Sequence, residues 1–227
     1  SPSEQGVAAD SQWQDRSSQT RTDPRLIGSF SFVLHSHLPY ARQAGRWPHG
    51  EEWVHEALTE TYIPLLNGLH DLRDEGVPYK LTIGLTPVLL EQLSDDLIKN
   101  NFEQFIAEKV ERAESDTRRF ESAGDKRLPV ARFWLNFYSK VQESFSTRFH
   151  RDVVGAFADL SRSGHVDILT SAATHGYLPL LSRDSSIRGQ LRTGKRSSQR
   201  HIGVDPRSIW LPECAYRPAY KENGVVR

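Results

Sequence analysis

The chain has 227 residues, a hydrophobic content of 37% and no formal net charge, because 29 Lys and Arg residues balance 29 Asp and Glu residues. These values are ordinary for a globular protein, and the charge balance argues against binding to nucleic acid or to an anionic membrane surface. A single cysteine, Cys214, excludes an intramolecular disulfide and a zinc site built from several cysteines. We therefore expect a neutral partner and a reducing, cytoplasmic setting.

The chain begins with a polar segment. Residues 1–25 are rich in Ser, Gln, Asp and Arg without apolar periodicity, which predicts a disordered tail and contains no signal peptide. The structured part is expected over residues 26–227, where no stretch of about 18 apolar residues would cross a membrane. Its first element is predicted as a buried strand, residues 26–34. The sequence contains no methionine, which suggests an incomplete chain.

Strands and helices alternate after this first strand. Apolar spacing predicts a helix over residues 51–75, kinked or split at Pro64 because proline lacks the amide hydrogen. Residues 80–85 read as a second strand. Thr86 and Pro87 are then typical of an N-cap and of the first position of the next helix.

Two longer helices are predicted over residues 97–122 and 130–163. The second carries an apolar stripe at helical spacing, and aromatic residues in such a stripe are expected in the core. Its members are Phe133, Trp134, Phe137, Val141, Phe145, Phe149, Val153, Phe157 and Leu160.

The remaining elements are a strand at residues 165–170, a helix at 185–201 and a short strand at 208–211. Strands joined by helical crossovers are typical of a parallel α/β fold. In such folds the active site is built at the carboxyl ends of the strands, and three of the four predicted strands end in residues capable of chemistry.

Histidines follow the first and third strands. His35 and His37 point to the same side because side chains alternate along a strand, so the pair could bind sugar hydroxyls or a metal. Each of them taken alone could also satisfy backbone groups in the core. For His175, a structural and a functional role are equally compatible with its position.

The third strand end with reactive groups, IWLPECAYRP at residues 209–218, is the most specific. Trp210 offers an aromatic face for sugar stacking, and Arg217 could keep the carboxylate of Glu213 ionised and oriented. An ionised carboxylate is what a glycosidase nucleophile requires. A thiol nucleophile at Cys214 is disfavoured, since no glycine-rich nucleophile turn surrounds it. No phosphate, dinucleotide or HExxH motif occurs, so no cofactor is expected.

Three segments, HSHLPY (35–40), HVDILTSAATHGYLPLL (165–181) and SIWLPECAYRP (208–218), resemble in order and spacing the first three sequence blocks of glycoside hydrolase family 57. Within that family, WPHGEEWVHEALTETYIPLL and GLTPVLLEQL are most similar to the 1,4-α-glucan branching enzymes. The resemblance covers about residue 28 to the end. It implies an incomplete (β/α)7 barrel of which residues 26–227 form the N-terminal part, truncated at the C-terminus.

The resemblance also implies the chemistry. Glu213 would be the nucleophile of a retaining mechanism that cleaves α-1,4-glucan and transfers the chain to a 6-hydroxyl group. The residues implied to line the sugar site are His35, His37, His175, Trp210, Tyr216 and Arg217. The family's general acid/base is an aspartate in a later block, beyond Arg227. The chain alone is therefore expected to be inactive, with apolar surface exposed where further strands would pack.

Three alternatives stay open from the sequence. A 4-α-glucanotransferase or α-amylase of the same family would use the same nucleophile. A metal-dependent polysaccharide deacetylase-like barrel could use His35, His37 and His175 as ligands, although no Asp or Glu accompanies the histidine pair. A degenerate barrel could bind glucan through Trp210 without chemistry.

Overall fold

Three parallel strands form the centre of the protein, which we describe from a computed structural model covering residues 27–226 apart from Ser29. Strands β1 (Val33–Ser36), β2 (Leu81–Leu85) and β3 (Val166–Leu169) pair in the order β1-β2-β3. A fourth segment joins the edge of β3 through one parallel bridge between Thr170 and Ile209. The predicted α/β class with a parallel sheet is confirmed.

The strand predicted at residues 26–34 begins later and ends later than expected. Val33 pairs with Thr82 and Ser36 with Leu85, the last residue of β2, so β2 sets the length of β1. The segment 208–211, predicted as a strand, forms only the single bridge. The predicted tail, residues 1–25, lies outside the described residues. Residues 27–31 belong to a separate compact unit, and those described have no regular secondary structure.

Helices lie against the sheet, but β1 is not buried as predicted, since Val33 is 44% exposed. The predicted helix 51–75 is divided into α1 (Glu52–Ala57), a π-helical turn (Leu58–Tyr62) and α2 (Ile63–Asp74). The division falls before Pro64, as expected for a residue that cannot donate the hydrogen bond of a regular helix. Helices α3 (Pro87–Ser94) and α4 (Asp96–Ser122) follow β2, and the Asp95 side chain caps α4 by accepting from the amides of Leu97 and Ile98.

The single helix predicted over residues 130–163 is wrong. The chain instead forms α5 (Leu128–Glu143), a π-helical turn (Ser144–Arg148) and α6 (Val153–Arg162). Left-handed backbone at His150 and Arg151, with φ of 48° and 63°, breaks the helix. Asp152 then starts a new one by accepting a 2.8 Å hydrogen bond from the amide of Gly155.

The placement of the whole aromatic stripe in the core is also wrong. Phe133 and Trp134 are 59% and 39% exposed, whereas the stripe from Val141 onwards is buried. The reason is that α5 packs mainly along α4 in a hairpin and has few contacts with the strands. Helix α6 does reach the sheet, and Phe157 and Leu160 are fully buried.

Helix α7 (Asp184–Ile202) matches the helix predicted at 185–201 and ends at Gly203, whose φ is 81°. A small antiparallel pair, β4 (Lys221–Glu222) and β5 (Val225–Val226), was not predicted. Across residues 27–226, Ser29 aside, no helix is long and apolar enough to cross a membrane.

Candidate active site

The carboxyl ends of the parallel segments meet at one edge of the sheet, as they must when all strands run in the same direction. His35 and His37 lie at the end of β1, Thr86 follows β2, and His175 follows β3. Trp210 sits one residue after the bridge to Thr170, and its amide donates a 2.9 Å hydrogen bond to the Thr170 carbonyl oxygen. The sheet therefore gathers groups that are distant in sequence.

Four rings form a stack at this edge. The His175 ring lies between those of His35 and His37, with centroid distances of 5.0 and 4.1 Å and interplanar angles of 24° and 28°. The indole of Trp210 stacks on the ring of His35, with a centroid distance of 5.2 Å. The predicted convergence of His35 and His37 on one side of the strand is confirmed. Ser36 points the other way, toward a hydrogen bond with the buried Tyr62 hydroxyl.

The pKa of each of the three imidazoles is lowered. Desolvation is the main cause that lowers the pKa of His35 and His37, against a smaller opposing effect of Glu213. The pKa of His175 falls to about 4, because desolvation is reinforced by the neighbouring histidines. At neutral pH the stack carries no charge and offers nitrogen lone pairs as well as N–H donors.

Glu213 faces this stack. Its Oε1 lies 4.0 Å from His175 Nε2, and its side chain is 67% exposed while that of His175 is 1% exposed. The contact is not an ion pair at neutral pH, since His175 is then uncharged. Glu213, Cys214 and His175 all have left-handed backbone, with φ of 55°, 52° and 55°. Strained conformations of this kind are typical of functional sites.

Two supporting residues were not predicted as parts of the site. Thr86 is the N-cap residue of α3, with Pro87 following it, as predicted. Its side chain makes no capping hydrogen bond, and Oγ1 lies 3.2 Å from His37 Nδ1 instead. Gly84 pairs with His35, and a Cβ at Gly84 would lie 3.2 Å from His35 Nδ1. A glycine inside a strand is a signal of close approach that could have identified it.

Tyr216 and Arg217 line a cavity that does not include the stacked rings. Tyr216 is 77% exposed, and the guanidinium of Arg217 lies 4.6 Å above the Tyr220 ring. Within the described part of the chain, Arg217 makes no ion pair with Glu213, so the predicted orienting contact is absent. The cavity has a volume of about 600 Å³ and also includes Leu211 and Leu180. Leu180 is 80% exposed there.

A metal centre finds little support in this geometry. Residues 27–226, without Ser29, contain no group of three or more His, Cys, Asp or Glu side chains placed to hold a metal ion. His35, His37 and His175 stack on one another, and Glu213 approaches only the last of them closely. The deacetylase-like alternative thus lacks a ligand set in this part of the chain.

The Glu213 carboxylate lies beside imidazole and indole rings at the carboxyl edge of a parallel sheet, which is where α/β folds build their active sites. Comparison with known proteins identifies the family. The profile described as "Glycosyl hydrolase family 57" matches residues 31–223. The chain belongs to glycosyl hydrolase family 57.

Similar proteins carry one recurring name. The chain is 46% identical over 194 residues to a 1,4-alpha-glucan branching enzyme of Thermococcus kodakarensis, covering 86% of this chain and 28% of that protein. It is 32% identical over 205 residues to a probable 1,4-alpha-glucan branching enzyme of Mycobacterium tuberculosis, covering 84% and 38% respectively. The chain thus spans about a third of the length of these relatives.

Solved structures agree with this grouping. A GH57-type branching enzyme from Pyrococcus horikoshii superposes with a TM-score of 0.79 at 44% identity, over 87% of this chain and 37% of that one. The alpha-amylase AmyC from Thermotoga maritima gives a TM-score of 0.74 at 30% identity, over 82% and 35%. The fold is therefore shared by enzymes named for branching and for hydrolysis.

Proposed function

We propose that this chain carries the nucleophile side of a retaining 1,4-α-glucan branching site, with Glu213 as the nucleophile. The main observation behind this proposal is that the Glu213 carboxylate lies 4.0 Å from His175 Nε2, at the sheet edge where the ring stack lies. The branching enzymes named among its relatives support the choice of reaction. We also propose that β1, β2, β3 and the 208–210 segment belong to an incomplete (β/α)7 barrel.

In this proposal the reaction has two displacements. A Glu213 carboxylate oxygen bonds to the anomeric carbon of an α-1,4-glucan, while the C1–O4 bond breaks and O4 takes a proton from a general acid. A 6-hydroxyl oxygen of a glucan chain then bonds to the same carbon, gives its proton to the conjugate base and releases Glu213. The product has an α-1,6 branch, as in glycogen.

The neighbouring side chains suit the binding of a neutral sugar. Trp210 supplies an indole face at the end of the stack, and His35, His37 and His175 supply neutral ring nitrogens. We propose these four as substrate-binding residues. Tyr216 and Arg217, on the adjoining cavity, are proposed to contact glucan residues farther from the scissile bond.

Hydrolysis or 4-α-glucan transfer is the second candidate, and the likeness to an alpha-amylase structure favours keeping it. The three reactions share the glycosyl-enzyme and differ in the acceptor, which is water, a 4-hydroxyl or a 6-hydroxyl group. Incubation of the full-length protein with amylose separates them. New α-1,6 linkages, counted by NMR and by enzymatic debranching, are expected for branching; shortened or redistributed linear chains alone would contradict it.

The assignment of Glu213 as the nucleophile can be tested with a substrate that needs no general acid. A 5-fluoro-α-glucosyl fluoride has fluoride as its leaving group, which departs as an anion and needs no protonation. We expect a glycosyl adduct on the peptide containing Glu213, detected by mass spectrometry after digestion. Glu213→Gln should give none, whereas Glu111→Gln, an exposed glutamate on α4, should label like the unsubstituted chain. Labelling of Glu213→Gln at an unchanged rate would refute the assignment.

A further inference from the structure

The Ser171 hydroxyl lies between His175 and the segment that carries Glu213. Its Oγ is 2.9 Å from His175 Nδ1 and donates a 2.8 Å hydrogen bond to the carbonyl oxygen of Trp210. Ser171 is 1% exposed, so water does not replace either partner. One side chain thus connects the imidazole at the end of β3 with the strand segment that precedes the carboxylate.

Counting protons fixes the direction of both hydrogen bonds. A serine hydroxyl has one hydrogen, and a carbonyl oxygen can only accept. The hydrogen therefore goes to Trp210, and the Ser171 oxygen accepts a hydrogen from His175 Nδ1. If Ser171 donated its hydrogen to His175 instead, lone pairs of the Ser171 and Trp210 oxygens would face each other across 2.8 Å. A neutral imidazole with hydrogen on Nδ1 has a bare lone pair on Nε2.

We infer that Ser171 is a positioning residue, which holds His175 in the Nδ1–H tautomer so that Nε2 accepts a hydrogen bond from a sugar hydroxyl beside Glu213. This inference rests on the proposed function for the identity of the ligand. It goes beyond it by assigning the hydrogen-bonding sense of the site and the residue that sets it.

The tautomer matters because of what stands next to Nε2. A hydrogen there would point toward Glu213 Oε1, only 4.0 Å away, and would stabilise the carboxylate in its resting state. A lone pair leaves the carboxylate free to attack. The Nε2 lone pair and the Glu213 carboxylate are then both hydrogen-bond acceptors. A donor such as a sugar hydroxyl is therefore favoured between them. The low pKa of His175, about 4, keeps Nε2 bare across the neutral pH range.

The unsubstituted chain tests the tautomer directly. In NMR spectra of protein labelled with ¹⁵N in histidine, His175 is expected to show a protonated, pyrrole-type Nδ1 and an unprotonated Nε2 at pH 7. His175→Asn assigns the signals, and asparagine tolerates the left-handed backbone at this position. A protonated Nε2 in the unsubstituted chain would overturn the inference. This readout does not require turnover.

Substitution then tests the role of the serine. In Ser171→Ala, the signals of His175 should shift toward the Nε2–H form or a mixture, and adduct formation with the 5-fluoroglycosyl fluoride should slow about 10-fold or more. Ser171→Thr, which keeps the hydroxyl, should retain the Nδ1–H form. The matched control is Ser198→Ala, which removes an equally buried hydroxyl bonded to Thr170, and it should leave the tautomer unchanged.

The outcomes separate the two proposals. If no adduct forms on the unsubstituted chain, but His175 is in the Nδ1–H form and loses it in Ser171→Ala, the glucan function fails and the positioning by Ser171 stands. If the adduct forms and Ser171→Ala changes neither the tautomer nor the rate, the positioning role fails. Circular dichroism of each variant verifies that the fold is retained, and the spectrum of the unsubstituted chain decides the tautomer in any case.

Discussion

His175 and Glu213 approach each other to 4.0 Å, and each has a φ of 55°. A left-handed conformation costs a non-glycine residue roughly 1–2 kcal/mol. Local hydrogen bonds hold the two turns: the amide of His175 donates to Ala172 at 3.0 Å, and that of Cys214 donates to Leu211 at 2.9 Å. The fold thus bears a conformational cost at the two residues that face each other in the site.

Replacing Glu213 by glycine should separate stability from function. Glycine adopts positive φ without strain but loses more entropy on folding, so we expect Glu213→Gly to raise the free energy of unfolding by up to about 1 kcal/mol. Labelling by the 5-fluoroglycosyl fluoride should disappear. The control is Glu111→Gly within helix α4, which should destabilise by about 1 kcal/mol. Urea denaturation measures the free energy of unfolding of both variants. Equal destabilisation by the two substitutions would show that the backbone at Glu213 is not strained.

His175 should make the protein less stable in mild acid. Its folded pKa of about 4 lies below the ordinary histidine value of 6.5, so between these values the unfolded chain binds a proton that the folded chain does not. The stability contributed by neutral His175 is therefore present above pH 6.5 and is lost as the pH falls toward 4.

The expected size follows from the same difference. Between pH 7 and pH 5, His175 should contribute a loss of about 1–2 kcal/mol in the free energy of unfolding, at roughly 1.36 kcal/mol per pH unit below 6.5. His175→Asn should remove this part of the pH dependence, while His35 and His37 retain theirs, which has the same sign. Urea midpoints at the two pH values measure it. Identical pH dependence in both proteins would contradict the lowered pKa.

Gly194 allows helix α7 to lie against the site. A Cβ at this position would clash with the backbone carbonyl oxygen of Ser171 and lie 3.2 Å from the Ala173 nitrogen. Helix propensity alone predicts that Gly194→Ala stabilises by about 1 kcal/mol. We expect the opposite sign, a loss of about 1–3 kcal/mol, because the neighbouring backbone cannot move aside easily.

The same helix supplies the control. A Cβ added at Gly189 would meet no atom within 4 Å, so Gly189→Ala should stabilise by up to about 1 kcal/mol. Thermal unfolding of the two variants measures the difference in sign. If Gly194→Ala proves as stabilising as Gly189→Ala, the close approach of α7 to Ser171 is wrong.

Sequence patterns predicted one part of the geometry of the candidate site and missed others. Alternation along β1 placed His35 and His37 on one side, since strand periodicity is fixed by covalent geometry. The contact of Ser171 with Trp210 joins two segments that are far apart in the chain, and no local pattern encodes it. Thr86 is the N-cap residue of α3, as predicted, but the contact of its hydroxyl with His37 joins distant segments and is not encoded locally.

The aromatic stripe shows why periodicity alone was insufficient. Phe133 and Phe145 occupy equivalent positions in that pattern, but Phe133 is 59% exposed on the α4–α5 hairpin and Phe145 is 2% exposed. Spacing tells which residues share a face of a helix, whereas burial depends on what that face meets.

The two phenylalanines therefore provide a matched pair for the last prediction. Phe145→Ala should destabilise by about 3–5 kcal/mol, because Phe145 packs edge-on against Phe102 at a centroid distance of 4.7 Å and its removal leaves a cavity. Phe133→Ala should cost less than about 1.5 kcal/mol, since Phe133 is 59% exposed and its ring contacts are with Trp134 and Phe137 on its own helix. Urea denaturation of both variants gives the two values. Comparable losses would mean that the first half of α5 is covered in solution, and that the exposed position of Phe133 is wrong.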